Sequence, residues 1–211
     1  MSLRIGIPKG VLHAGTIRAL LGAGVIAETP PEDGRQLLVK DPSGNELLTV
    51  RATDVPTYVT YGGMDVAVAG KDVLMEDLDA DVVELLDLGF GRCRFVVAEP
   101  EGQDDTVRDL YGHLGQVRVA TKYPNVTQAY YSAKGVQAEI VKLYGSIELA
   151  PLTGLAQQIV DLSSTGRTLA ENGLVVVDVI AEVSARLIAN RSSAILKSDE
   201  IAALVGALSR G

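Results

Sequence analysis

Residues 116–143, QVRVATKYPNVTQAYYSAKGVQAEIVKL, contain the pattern that decides the fold. The short blocks 116–121 and 138–143 are dense in apolar and β-branched residues and are typical of buried strands. Between them, the longer segment 125–134 has the length and mixed polarity of a helix. Strands that alternate with helices in this way are typical of an α/β fold.

The same alternation continues on both sides of this stretch. Further strands are predicted at 3–8, 36–40, 46–52, 65–69, 82–88, 92–99, 174–181 and 183–189. The second and third of these form a hairpin around the turn-rich pentapeptide Asp-Pro-Ser-Gly-Asn at 41–45. Further helices are predicted at 14–21, 55–61, 153–160, 168–172 and 199–208, the last with Ser198 as its N-cap.

The strand pattern restarts near residues 92–100, which indicates two similar α/β lobes with a central cleft, resembling the periplasmic-binding-protein type II architecture. We expect lobe I to be discontinuous, with 1–91 and 182–211, and lobe II to comprise 92–181. Ligands of open α/β proteins bind at the carboxyl ends of strands. The loops 8–10 and 70–72 and the loop after Asp161 are therefore candidate site elements.

The composition disfavours several classes of protein. Of the 211 residues 47% are hydrophobic and 22% are charged, as in ordinary globular proteins, and the net charge of -8 argues against a protein that coats nucleic acid or membrane. The single cysteine, Cys93, excludes an internal disulfide, and His13 and His113 alone do not predict a zinc cluster. No apolar run approaches the ~20 residues of a membrane span, and the apolar stretch at the N-terminus is too short for a signal peptide. We therefore expect a cytoplasmic protein.

The most informative segment for function is 161–169, Asp-Leu-Ser-Ser-Thr-Gly-Arg-Thr-Leu, which follows an apolar block and leads into a predicted helix. Its hydroxyl residues, glycine and helix start can direct several N–H groups and hydroxyls at one point, which suits a phosphate monoester. A capped helix start explains the same residues equally well. The candidate phosphate contacts are Ser163, Ser164, Thr165, Gly166, Arg167 and Thr168.

Two acidic residues accompany this loop. Asp161 opens it, and Glu148 alternates with apolar neighbours at a predicted strand end upstream. Two carboxylates near a phosphate loop can hold ribose hydroxyls or a magnesium ion that neutralises pyrophosphate. The alternative is that both acids simply face solvent.

Several motifs together resemble ATP phosphoribosyltransferase. The run 143–151 (Leu-Tyr-Gly-Ser-Ile-Glu-Leu-Ala-Pro), with 154–156, 161–169 and 171–174, is similar to the PRPP-binding region of that family. Four more segments resemble family signatures in the same order, and they are 51–59 (Arg-Ala-Thr-Asp-Val-Pro-Thr-Tyr-Val), 70–72 (Gly-Lys-Asp), 88–94 (Leu-Gly-Phe-Gly-Arg-Cys-Arg) and 121–125 (Thr-Lys-Tyr-Pro-Asn).

This resemblance implies a reaction in which N1 of ATP displaces pyrophosphate from C1 of PRPP, giving phosphoribosyl-ATP in the first step of histidine biosynthesis. It implies that Asp161 and the 163–168 loop bind the ribose and 5-phosphate of PRPP. Glu148 would lie on the ribose side, and Mg²⁺ would be carried mainly by the substrate. Glu148 and Asp161 would be the catalytic residues. The opposite wall, near the nucleotide and pyrophosphate, would carry Lys9, Gly10, Arg51, Asp72 and Tyr123.

The resemblance also predicts partners, and one position departs from it. The chain ends at residue 211 without the C-terminal histidine-binding domain of the long form, which implies the short form. That form is expected to be a homodimer that works with a regulatory subunit resembling histidyl-tRNA synthetase. Family members usually carry arginine after the Pro-Lys-Gly turn, where this chain has Val11, so a basic contact is missing or comes from another group such as Arg18.

Three other interpretations remain at this point. A two-lobed small-anion binding protein without catalytic activity shares the architecture, although the 161–168 loop and the absence of a signal peptide disfavour it. A phosphoribosyltransferase of the orotate type usually has paired acids directly before its Thr-Gly turn, whereas Leu162 and Ser163 follow Asp161 here. An inactive scaffold subunit is suggested only by Val11.

Overall fold

The computed structural model describes residues 2–30, 37–102 and 115–210. The chain divides into two compact units, of which unit 1 comprises Met1–Gly91 and Ser184–Gly211 and unit 2 comprises Arg92–Val183. Each unit contains one β-sheet whose strands alternate with helices along the chain, so the predicted α/β class is confirmed. The second boundary between the units, which the strand pattern predicted after residue 181, lies after Val183.

The elements are numbered along the whole chain. The strands are β1 Arg4–Pro8, β2 Leu38–Lys40, β3 Glu46–Val50, β4 Val66–Gly70, β5 Val82–Asp87, β6 Cys93–Pro100, β7 Val117–Thr121, β8 Ala138–Lys142, β9 Gln158–Ser163, β10 Leu174–Val183 and β11 Ala185–Asn190. The α-helices are α1 His13–Gly22, α2 Val55–Thr60, α3 Lys71–Glu76, α4 Pro124–Ala133, α5 Leu149–Leu152, α6 Arg167–Glu171, α7 Arg191–Leu196 and α8 Ser198–Leu208, and a 3₁₀ turn covers Ala52–Asp54.

The sheet of unit 1 has the strand order β2-β3-β1-β4-β11-β5. β1 is parallel to both β3 and β4, whereas β11 is antiparallel to β4 and β5. Side chains of a strand alternate between the two faces of its sheet. Val66 and Val68 of β4 therefore join one core with α1 and α8, whereas Ala67 and Ala69 join a second core with α2.

A buried carboxylate holds the C-terminal helices against this sheet. Asp65, which is 8% exposed, accepts hydrogen bonds from the Arg4 N–H (2.8 Å), Ser193 Oγ (2.7 Å) and Lys197 Nζ (2.6 Å). Burial by itself raises the pKa of Asp65, but these donors outweigh it and hold the pKa below its ordinary value. Asn190 caps α7 by accepting a bond from the Ser193 N–H at 3.0 Å. These bonds tie α7 and α8 to the amino ends of β1 and β4.

The sheet of unit 2 has the strand order β10-β6-β9-β7-β8. β7 is parallel to both β8 and β9, and β6 is antiparallel to β9 and β10. Helix α4 is attached to this sheet by a chain of polar side chains. Tyr131 Oη donates to Gln158 Oε1 at 2.6 Å, and Gln158 Nε2 donates to Glu99 Oε2 at 2.6 Å.

The predicted hairpin and the two late strands are confirmed. β2 and β3 pair antiparallel around the 41–45 turn, and β10 and β11 cover the segments expected near 174–181 and 183–189. Gln36 and His113 lie outside the described residues.

The helix predicted at 153–160 is wrong, because β9 begins at Gln158. A short helix, α5, ends at Leu152 before that strand. Ile159 and Val160 are both fully buried in the middle of the sheet. A short, fully buried apolar run does not distinguish a strand from a helix by periodicity, so the sequence pattern was ambiguous here.

Two helix details also differ from the expectation. Ser198 is the first residue of α8 rather than its N-cap; Lys197 takes that position and makes no side-chain capping bond. Helices α3 and α7 were not predicted, because each has only six residues and directly follows a strand. In the described ranges no helix is long and apolar enough to cross a membrane.

Candidate functional site

Both sheets contain a position where neighbouring parallel strands diverge. In unit 2 the chain leaves β7 through α4 toward β8 on one side, whereas it leaves β9 through α6 toward β10 on the other side. In unit 1 the chain leaves β1 toward β3, whereas it leaves β4 through α3 toward β5. Such switch points open a crevice at the carboxyl ends of the strands, where ligands of α/β proteins bind.

The unit 2 switch point contains three of the predicted elements. The register pairs Thr121 of β7 with Val160 of β9, so Lys122 and Tyr123 follow β7 at the level where β9 reaches Asp161. Thr121 fixes this turn, because its hydroxyl donates to the Val160 carbonyl at 2.7 Å and accepts from the Tyr123 N–H at 2.9 Å. The 163–168 loop then continues from the end of β9.

Asp161 is a carboxylate with few donors around it. Its Oδ1 accepts a bond from the adjacent Leu162 N–H at 2.8 Å. Burial raises its pKa and is the largest influence on it, the Leu162 bond and the charge of Lys122 lower it, and the charge of Glu148 raises it. The net pKa of Asp161 lies above its ordinary value. Lys122, Glu148 and Asp161 therefore form one electrostatically coupled group.

The 163–168 loop has a backbone suited to binding an anion. Gly166 adopts the left-handed conformation, with φ of 76°, and its N–H donates to Ser163 Oγ at 2.9 Å. Among the described residues, the N–H groups of Ser164, Thr165 and Thr168 have no hydrogen-bond acceptor. Unsatisfied N–H groups in consecutive turn positions are a common anion-binding element of proteins.

Two predicted side chains of unit 2 lie differently from the expectation. Arg167 points along its own helix and pairs with Glu171 through Nε at 2.7 Å, with 82% of its side chain exposed. Its charge is therefore engaged outside the loop. Glu148 is the N-cap of α5 rather than the end of a strand, because β8 already ends at Lys142.

The unit 1 switch point gathers four other predicted residues. Lys9 and Gly10 follow β1, Arg51 follows β3, and Asp72 follows β4, so all three loops lie at the same edge of one sheet. The Lys9 N–H donates to the Val50 carbonyl at 2.8 Å, which joins the first two loops. The Lys9 and Arg51 side chains are exposed.

Asp72 resembles Asp161 in its electrostatics. Burial raises the pKa of Asp72 above its ordinary value, against hydrogen bonds from its own N–H and that of Val73. The carboxylate folds back over Gly70, where a Cβ would lie 2.1 Å from Asp72 Oδ1. A larger residue at position 70 would therefore displace the Asp72 carboxylate. Acids with a raised pKa in such a crevice are candidates for functional residues.

Tyr123 does not lie where the sequence analysis grouped it. It was predicted on the wall with Lys9 and Arg51, but it belongs to unit 2 because it directly follows β7. Its ring packs edge-on against Phe95, with 4.8 Å between the ring centroids.

Lys122 was not predicted as a site residue. Its place one residue after a buried strand was visible in the sequence, but its neighbours Asp161 and Glu148 follow only from the strand order. Val11, the position that departs from the family pattern, is 96% exposed.

The described residues contain no group of three or more histidine, cysteine or acidic side chains that could enclose a metal ion. Glu148 and Asp161 are two carboxylates whose charges interact. Mg²⁺ is usually bound by one or two carboxylates together with substrate phosphates, so this donor set fits a magnesium ion that arrives with a polyphosphate.

Comparisons with known proteins agree with the motifs. The model of the family described as HisG: ATP phosphoribosyltransferase matches residues 51–210. An ATP phosphoribosyltransferase of Symbiobacterium thermophilum is 49% identical over 205 residues, covering 96% of this chain and 91% of the relative.

Solved structures give the same result at the level of the fold. The ATP phosphoribosyl transferase (HisG:HisZ) complex from Thermotoga maritima contains a chain with a TM-score of 0.82 and 34% identity, covering 99% of this chain and 97% of that one. The periplasmic aliphatic sulphonate binding protein SsuA from Escherichia coli has a TM-score of 0.64 at 16% identity, covering 99% of this chain and 68% of that one. The second likeness concerns the fold alone.

Proposed function

This chain belongs to the ATP phosphoribosyltransferase family, and from that premise we propose which of its residues carry the reaction. It is a pentosyltransferase that catalyses the first step of histidine biosynthesis. In this reaction N1 of ATP displaces pyrophosphate from C1 of PRPP to give phosphoribosyl-ATP. We propose that this chain corresponds to the short form, because it aligns over 205 residues with the Symbiobacterium thermophilum relative and covers 91% of that protein. A non-catalytic anion-binding protein is not favoured, because the likeness to SsuA is limited to the fold.

The 163–168 loop binds the 5-phosphate of PRPP in this proposal. The observation that carries it is the set of unpaired N–H groups of Ser164, Thr165 and Thr168 at the unit 2 switch point. The same loop contributes the hydroxyls of four residues, and the left-handed Gly166 turns the backbone so that Ser163 Oγ braces it. The charge of the phosphate is thus met by backbone dipoles rather than by the Arg167 side chain.

Asp161 and Glu148 serve the ribose end of PRPP. Adenine N1 already carries a lone pair, so the attack requires no serine or cysteine nucleophile. The difficult part is to hold two polyanions together and to stabilise positive charge at C1 as pyrophosphate leaves. Positioning contributes up to ~7–11 kcal/mol in favourable reactions. A partly buried carboxylate with few donors, such as Asp161, stabilises that cation electrostatically without accepting a proton.

Lys9, Gly10, Arg51 and Asp72 serve the nucleotide and the pyrophosphate. Lys9 and Arg51 present exposed cations at the carboxyl edge of the unit 1 sheet, which suits polyphosphate. Asp72 offers a carboxylate acceptor at the same edge. We propose Tyr123 as a contact of PRPP, because it lies in the turn beside Asp161.

Members of the family use a metal ion. We propose that this ion is Mg²⁺, carried by PRPP and contacted by Asp161 or Glu148. When bound, it would neutralise charge on the departing pyrophosphate. The location of the reaction is proposed to be the cytoplasm.

The assembly is proposed from the relative whose structure is known. That relative is named as a complex of HisG with HisZ. We propose that this chain likewise binds a regulatory subunit resembling histidyl-tRNA synthetase, and that it forms a homodimer on its own. Mass photometry of the chain alone should give a dimer, and histidine should inhibit the activity only after the regulatory subunit is added.

The phosphate site can be tested directly by NMR. Titration with PRPP should shift the amide resonances of Ser164, Thr165 and Thr168. The 41–45 turn is a matched control, since it also contains a serine and a left-handed glycine, Gly44. Its amides should not move. A titration that leaves the 163–168 amides in place while others respond would refute this assignment. Formation of phosphoribosyl-ATP, followed through pyrophosphate release, checks the activity of the same sample.

A further inference from the structure

The proposed phosphate loop lacks an obvious cation. Arg167 is the basic residue within the loop, but its guanidinium pairs with Glu171 at 2.7 Å and is largely exposed. Arg94 of β6 is aligned with Ser163 across the sheet, but it is equally aligned with the acidic Glu182 of β10 on its other side. Hydrogen bonds from lysine or arginine to phosphate are about twice as strong as neutral ones, so a cation beside the loop would add to the contribution of its backbone N–H groups.

Lys122 is another basic residue at the carboxyl edge of the unit 2 sheet, where the phosphate loop also lies. Lys122 directly follows Thr121, the last residue of β7, and lies beside Asp161 of β9. The Thr121 hydroxyl fixes this turn by donating to the Val160 carbonyl and accepting from the Tyr123 N–H. The register of β7 and β9 therefore places the turn that contains Lys122 at the unit 2 switch point. The Lys122 side chain is exposed, and it has no ion-pair partner among the described residues.

Other lysines of unit 2 are differently engaged. Lys134 pairs with Asp178 at the far end of α4. Lys142 ends β8, one strand farther from β9, and its Nζ lies over the Tyr144 ring at 5.7 Å from the centroid. Neither lysine follows a strand that borders the switch point.

We propose that Lys122 is the cationic PRPP-binding residue of unit 2, contacting a phosphate of PRPP beside the 163–168 loop. In the free protein its side chain is exposed and has no ion-pair partner in the part of the chain that the structure describes, so it can contact a substrate phosphate without first breaking a salt bridge. This inference rests on the proposed function, since it adds a residue to the same PRPP site.

The test is PRPP binding to the full-length chain, measured by calorimetry. Lys122→Met should weaken PRPP affinity by about 10- to 100-fold, as expected for loss of one charged hydrogen bond. Lys122→Arg should keep most of the affinity. Lys142→Met, which removes the same charge from the same sheet edge, should bind PRPP like the wild type. Arg94→Met and Arg167→Met should each weaken binding less than Lys122→Met does.

A second readout separates binding from folding. Because the Lys122 side chain is exposed and has no ion-pair partner within the described ranges, Lys122→Met should unfold at the same Tm as the wild type and as Lys142→Met. Thermal unfolding followed by circular dichroism measures this, so a loss of PRPP affinity at unchanged Tm reports binding and not misfolding.

The outcomes distinguish this inference from the proposed function. If the wild type fails to bind PRPP, or binds it without moving the 163–168 amides, the site assignment itself is wrong. If the wild type binds there and Lys122→Met binds equally well, only the role of Lys122 is wrong. A larger loss in Arg94→Met or Arg167→Met would assign the cation to that residue instead.

Discussion

Asp65 in unit 1 and Asp161 in unit 2 are both at least partly buried, yet they differ in their hydrogen-bond donors and in the direction of their pKa shifts. Asp65 lies before the amino end of β4 and receives three donors, from Arg4, Ser193 and Lys197. Asp161 lies near the carboxyl end of β9 and receives one, from Leu162. The pKa of Asp65 is lowered and that of Asp161 is raised, although burial pushes both upward.

We interpret this difference as the contrast between a carboxylate that stabilises the fold, Asp65, and one that we propose to bind a ligand, Asp161. Where the fold supplies donors, the charged carboxylate is stabilised and contributes to folding. Where the fold supplies few donors, the buried carboxylate charge lowers the stability of the protein, and a bound cation or substrate can offset that loss. Asp72 belongs with Asp161, since it too lies at a switch point and has a raised pKa, and its donors within the described part of the chain are backbone N–H groups.

The largest effect is expected from Asp161→Asn. Removing one preorganised electrostatic group from an active site typically costs about 100- to 1,000-fold in kcat. We expect a loss of that size, measured by pyrophosphate release. The exposed carboxylate Asp199, in the first turn of α8, provides the matched control, and Asp199→Asn should retain normal kcat.

The same substitution should not destabilise the fold. A raised pKa means that ionised Asp161 opposes folding, a penalty that grows as pH rises through the ordinary and then the raised pKa. The neutral asparagine removes this penalty, so Tm at neutral pH should equal or exceed that of the wild type. A variant with normal kcat and a lowered Tm would contradict this prediction and would mean that Asp161 stabilises the fold and does not act in catalysis.

The opposite result is expected for Asp65→Asn. This change leaves Lys197 without its buried partner and should lower the free energy of unfolding by about 2–4 kcal/mol. The kcat should stay within about twofold of the wild type, because Asp65 belongs to the amino end of β4, away from the strand-exit loops. Urea unfolding and the kinetic assay check the two halves of this prediction.

The pH dependence provides the control for Asp65. Its pKa is lowered, so its contribution is fully present above the ordinary value of 3.8 and is lost as pH falls through the lowered value. The stability difference between wild type and Asp65→Asn should therefore shrink on acidification. A difference that stays constant at low pH would mean that the carboxylate charge is not what holds α7 and α8.

In each unit the sequence predicted the strand-exit loops at the candidate switch point better than the contacts that the loop residues make. Strand ends are marked by abrupt changes from apolar to polar residues, so the loops at Lys9, Asp72 and Asp161 could be found from the pattern alone. The pairing of Arg167 with Glu171 was also accessible, since residues four apart on a helix are neighbours.

Other features depend on the order of strands, which the sequence does not reveal. Lys122 acts on Asp161 because β9 inserts beside β7 rather than following β8 in space. The pKa difference between Asp65 and Asp161 depends on donors from residues more than a hundred positions away, such as Ser193 and Lys197. The assignment of 153–160 as a helix was wrong because the buried run at Ile159 and Val160 carries no periodicity.

The smallest effect is expected from Asp178→Asn. This variant tests whether hydrogen-bond donors stabilise the fold through a carboxylate that is not buried. Asp178 of β10 accepts bonds from Lys134 Nζ and from Tyr130 Oη, the latter at 2.6 Å. The Lys134 and Tyr130 hydrogen bonds lower its pKa to about 2, although burial opposes them. Its side chain is 38% exposed, so solvent and salt screen the pair.

We therefore expect Asp178→Asn to lower the free energy of unfolding by less than about 1 kcal/mol at neutral pH, despite the large pKa shift. That loss should diminish as pH falls from the ordinary value of 3.8 toward about 2, because the wild-type carboxylate then becomes neutral as well. High salt should diminish it in the same way. Urea titrations of the two variants at matched pH measure both losses. A loss for Asp178→Asn as large as that for Asp65→Asn would mean that donors alone, without burial, let a carboxylate stabilise the fold.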